Sequence, residues 1–70
     1  MTIEQAKDIA WQQDLSWLAM DESGALWAGE HRPEYHEIWG IWIWMLDINP
    51  VKIGWIYPVK DWKECRWRIG

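Results

Sequence analysis

An α+β domain is predicted: one N-terminal helix packed on a meandering antiparallel sheet of about four to five short strands. Three observations predict it. Residues 2–13 carry apolar side chains at helical spacing. Most of the remaining chain is short runs rich in Trp, Ile and Val, separated by turn residues. Residues 38–46, Ile-Trp-Gly-Ile-Trp-Ile-Trp-Met-Leu, form an uncharged run. It is too short for a bilayer, which takes about 20 apolar residues. Seventy residues make a single domain, 1–70.

In the helix, Thr2 and Gln5 stand at capping-box spacing, and Glu4 sits in the first turn, where the helix dipole favours an acid. Ile3, Ala6, Ile9 and Ala10 form one stripe, with Trp11 at its edge. A helix of about twelve residues is marginal alone, so the stripe must dock on a sheet. Residues 15–20 and 25–30 read as a hairpin across Asp21-Glu22-Ser23-Gly24. Asp suits the first position of such a turn and Gly a left-handed last one. Pro33 closes the hairpin, and residues 31–37 read as a polar connection.

The apolar strand is expected over residues 38–47. It sends Trp39, Ile41, Ile43 and Met45 to one face and Gly40, Trp42, Trp44 and Leu46 to the other. Both faces are apolar, and one short helix covers only one of them. The second cover is expected from another copy, as a homodimer or higher oligomer, from a foreign partner or from a ligand. Asn49-Pro50 marks a turn, residues 51–57 another strand with Gly54 as a bulge or close-approach point, and residues 58–63 a turn. Residues 64–69 alternate: Cys65, Trp67 and Ile69 face the core, and Glu64, Arg66 and Arg68 face away.

Nine Trp supply the burial that a chain this small needs. The single cysteine, Cys65, excludes an intrachain disulfide and fits a reducing compartment. The start Met-Thr-Ile-Glu-Gln lacks the basic head and apolar core of a secretory signal, so a cytoplasmic, membrane-free protein is expected. A net charge of −4 argues against nucleic acid as a partner. The charge is uneven: nine acids and two bases give −7 over residues 1–47, and two acids and five bases give +3 over residues 48–70.

Residues 17–27, Trp-Leu-Ala-Met-Asp-Glu-Ser-Gly-Ala-Leu-Trp, with the Arg32-Pro33 step, resemble the hairpin of small proteins encoded by bacteriophages and prophages. Asp61-Trp62-Lys63-Glu64 before a last short strand resembles their C-terminal motif. The resemblance spans residues 15–33 and 58–69 and carries no catalytic residues. It implies a phage origin and an accessory role toward host or anti-phage defence proteins.

Catalytic patterns are missing. His31 and His36 lie in an acidic loop without metal-ligand spacing, and Cys65 has no base beside it on its strand face. Gly-rich phosphate loops and nucleophile elbows are absent. No enzyme activity, metal or cofactor is therefore expected. The expected function is binding and inhibition of a host or defence protein through a Trp-rich surface. Trp39, Trp42, Trp44 and Trp55 would be anchors, with Glu30, Glu34 and Glu37 as an acidic rim. Two alternatives remain. One is nucleotide sequestration by Trp62, Trp67, Arg66 and Arg68; the other is a small virion component.

Overall fold

The computed structural model describes residues 1–47, 49–57 and 59–69. Thr2 opens helix α1 (Ile3–Gln12) with a complete capping box. The Gln5 amide donates to Thr2 Oγ1 at 3.1 Å, and the Thr2 amide donates to Gln5 Oε1 at 2.8 Å. The helix ends in a Schellman arrangement. Leu15 N–H donates to Ala10 O and Asp14 N–H to Trp11 O, each at 3.0 Å. Asp14 takes the left-handed conformation this requires, with φ 61°.

Strands β1 (Trp17–Met20) and β2 (Ala25–Gly29) form the expected hairpin. Its turn is built on one carboxylate. Asp21 Oδ1 accepts from Ser23 N, Ser23 Oγ and Ala25 N at 2.9, 2.6 and 3.1 Å. Gly24 closes the turn at φ 88°, where a side chain would be strained. β5 (Val51–Trp55) pairs with β2, and β6 (Arg66–Arg68) returns to pair with β1. The antiparallel sheet runs β5-β2-β1-β6. The β2–β5 register slips between Leu26 and Trp27. The extra residue at that slip is Ile53. Gly54 beside it is the close-approach point, where a Cβ would come within 2.8 Å of Met1 Sδ.

The helix lies on one sheet face. Leu18, Met20, Leu26 and Ala28 meet Ala6, Ala10 and Ile69 there, with Trp67 and Cys65 packed at the margin. Full burial of each Leu contributes about 1.5–3 kcal/mol. The expected hairpin is met, and of the expected stripe Ile3, Ala6 and Ala10 meet the core. The final alternation of Cys65, Trp67 and Ile69 toward the core holds, but the strand spans only Arg66–Arg68 because Glu64 ends a 3₁₀ turn.

The long apolar strand is not. Only Ile41–Ile43 runs extended, as β4, and it pairs with β3 (Glu34–His36) in a separate two-stranded ribbon. Gly40 explains the shortening: at φ 65°, with its N–H on His36 O at 2.8 Å, it turns the chain just before Ile41. A second turn comes after β4, with Asp47 N–H on Trp44 O at 3.1 Å. The polar connection expected over residues 31–37 thus contains a strand. A 3₁₀ turn, Trp62–Glu64, stands within the expected turn 58–63 and its neighbour Glu64; Pro58 lies outside the described residues. Among the described residues, no helix is long and apolar enough to cross a membrane.

Candidate functional site

The face of the main sheet away from α1 carries Trp17, Ala19, Trp27, Arg66 and Lys52 by strand register. The β3–β4 ribbon meets this face. Trp42 Nε1 donates to Met20 O at 2.6 Å. A Cβ on Gly29 would come within 2.7 Å of the Trp44 ring, so only glycine lets that ring settle there. Arg66 anchors the ribbon's other side, donating to Pro33 O at 3.0 Å and Glu34 Oε2 at 3.3 Å. Tyr35 meets Trp42 and Trp62 edge to face at 5.8 and 5.4 Å. At the ribbon's end, Asp47 accepts from the Glu30 and His31 amides at 3.1 and 3.2 Å.

Trp42 and Trp44 are therefore half-buried against this chain's own sheet. Their expected place on an uncovered adhesive face is corrected. The main sheet covers the Trp42 and Trp44 face, while Trp39, Ile41 and Met45 stay exposed.

Between the ribbon and the sheet lies a cleft of about 430 Å³, walled by Trp27, Trp42, Trp44 and Ile41, with Asp21 and Glu22 among its lining groups. Trp27 Nε1 donates to Asp21 Oδ2 at 3.0 Å, so both Trp27 and Trp42 have their N–H groups satisfied. Partial burial works to raise the Asp21 pKa. Hydrogen bonds from the Ser23 and Trp27 side chains and the Ser23 and Ala25 amides outweigh it and hold the carboxyl below its usual value.

Five large apolar side chains of residues 38–46 face solvent, as do Met1, Trp11, Val51, Trp55, Tyr57 and Val59 elsewhere. Ile38 is 87% exposed, Trp39 68%, Met45 79% and Leu46 72%. Trp39 stacks on His36 at 4.7 Å, which fixes the ring while leaving it exposed. Trp55 is also exposed, on edge strand β5, with the Lys52 ammonium 3.8 Å from its ring centre. Glu30, Glu34 and Glu37 are exposed, but Glu34 is paired with Arg32 and Arg66, each at 3.3 Å.

The alternative ligand set does not converge. Trp67 packs on the α1-side core, whereas Arg66 and Arg68 belong to the opposite face by strand alternation. Arg66 is engaged by Pro33 and Glu34, and Trp62 is half-buried beside Tyr35. Cys65 is half-buried; burial, then the Asp61 and Glu64 charges, push its thiol pKa up and keep it protonated.

Glu30, His31 and Asp47 bring three ligand-type atoms within 4.8 Å of one another. The Asp47 oxygens already serve the loop amides, with His31 Nδ1 3.4 Å from Oδ1. This cluster reads as a loop clasp.

Sequence reasoning passed over Trp27, Tyr35 and Asp47. Trp27 carried the available signal, since strand alternation places it opposite Leu26 and away from the helix. Comparison with protein-family models, with characterised proteins and with solved structures finds no match.

Proposed function

We propose that this chain is a non-enzymatic binding protein that docks on another protein through the apolar ridge of its β3–β4 ribbon. One observation carries the reading: Ile38, Trp39, Ile41, Met45 and Leu46 are all exposed within a single short segment of a small chain. Exposing such side chains forfeits about 1.5–3 kcal/mol each in burial, a large sacrifice for a domain of this size. A partner restores it, and aromatic anchors ringed by polar groups are the usual energetic centres of interfaces. Glu37, in the same turn as Trp39, supplies polar rim there, and Glu30 lies at the ribbon's opposite end, beside Asp47. The resemblance to phage and prophage proteins supports a host or anti-phage defence protein as the partner, with inhibition by occupying its surface.

The test places a photo-crosslinking amino acid at Trp39, at Met45 and, as a control, at Gln12 on the exposed side of α1. In bacterial cells, one discrete host protein should be captured from positions 39 and 45 and not from 12. Capture of the chain's own second copy would replace the foreign partner with a homo-oligomer. Equal, diffuse capture at all three positions would contradict a specific ridge.

A further inference from the structure

We propose that the cleft between the ribbon and the main sheet binds an organic cation of the methylated-ammonium type. Three Trp side chains wall it: Trp27 from β2, Trp42 from β4 and Trp44 from just beyond β4. An aromatic ring face is a quadrupole with its negative side outward, so it attracts cations, and clustered rings are the usual receptor for methylated ammonium groups. Two of these rings are held in place. Trp27 Nε1 is bound to Asp21 and Trp42 Nε1 to Met20 O. With those N–H groups occupied, the two rings offer the cleft carbon and π surface rather than donors.

Charge selects the ligand. Asp21 and Glu22 line the cleft, and among the described residues no Lys or Arg does. Asp21 spends its oxygens on the turn and on Trp27, so it contributes charge more than an open acceptor. Glu22 is exposed and makes no described ion pair. The Glu22 charge draws any cation, and the three indole walls favour one whose nitrogen is covered by methyl groups. Cations of the chain itself already lie against two of these rings: the Lys52 ammonium is 5.8 Å from the Trp27 ring centre and the Arg66 guanidinium 6.0 Å from that of Trp42. A volume of about 430 Å³ is ample for a trimethylammonium group and its stem. Of the ridge residues only Ile41 also lines the cleft, so either assignment can fail alone.

The test is a titration of the intact chain, read by Trp fluorescence and calorimetry, with choline and with 3,3-dimethylbutan-1-ol, its neutral carbon isostere. The expected result is saturable binding of choline and at least tenfold weaker binding of the alcohol. Glu22→Gln, on an exposed turn position, should weaken choline about threefold with no change in melting temperature. Trp44→Leu keeps an apolar wall and should abolish the preference for the cation. A trimethyllysine peptide distinguishes the ligand's source. Tighter binding of the peptide than of choline assigns the cleft to a modified side chain on a protein, and the reverse assigns it to a free small cation. Equal binding of choline and the alcohol, or no saturable signal with any cation, overturns the proposal. If Trp44→Leu fails to fold, the wild-type ligand pair and Glu22→Gln still decide it.

Discussion

Two aspartates do much of the positioning at the scale of single residues. Asp21 ties its own turn and then reaches across to the indole of Trp27, so it links a hairpin to the wall of the cleft. Its pKa is lower in the folded chain than the ordinary value of about 3.9. The stability this supplies is thus fully present above that value and is lost as pH falls through the lower folded pKa. Urea midpoints followed from about pH 5 down to pH 2 should fall for the native chain, and part of that fall should vanish in Asp21→Asn. Identical slopes in the two proteins would remove Asp21 from this role. Asp47 acts at the other end of the ribbon, where it accepts two loop amides. Asp47→Ala leaves both donors without that partner and should cost about 1–3 kcal/mol. Amide exchange at Glu30 and His31 should accelerate together, and unchanged protection there would count against the clasp.

At the scale of elements, α1 shows how local signals act together. Its start is a capping box, its stripe meets the core, and its end is a Schellman turn that places Asp14 at φ 61°. That conformation is costly for a residue with a Cβ and free for glycine. Asp14→Gly should therefore stabilise the chain by about 0.5–1 kcal/mol, and Asp14→Ala should destabilise it, as read by thermal unfolding. The helix and the β1–β2 hairpin were legible because each signal lies within a few residues of the structure it makes. The ribbon was not. Its first strand, Glu34–His36, is polar and comes directly after Pro33, so it reads as a loop. Its second strand is cut to Ile41–Ile43 by a left-handed Gly40 that the apolar pattern conceals. At the candidate site, the exposed Trp39 and Trp55 were identified correctly as surface groups. Trp42 and Trp44 were not, because alternation reveals two faces without revealing what covers them. The cover is Gly29 and Met20, distant in the chain.

For the molecule as a whole, the division of labour is between two faces of one sheet. α1 closes one face over Leu18, Met20 and Leu26. Removing one of these side chains, as in Leu26→Ala, should cost about 2–5 kcal/mol, enough to threaten folding in a chain of this length. The ribbon closes part of the other face with Trp42 and Trp44 and carries its own apolar residues outward. Core and ridge therefore predict opposite behaviour on substitution. The most direct measurement is a paired comparison of the native chain with Ile38→Ser combined with Met45→Ser, scoring melting temperature and partner crosslinking at position 39 together. An unchanged melting temperature with crosslinking lost is the predicted result. A large fall in melting temperature would make the ridge part of the core, and crosslinking that survives in a folded double variant would place the interface elsewhere.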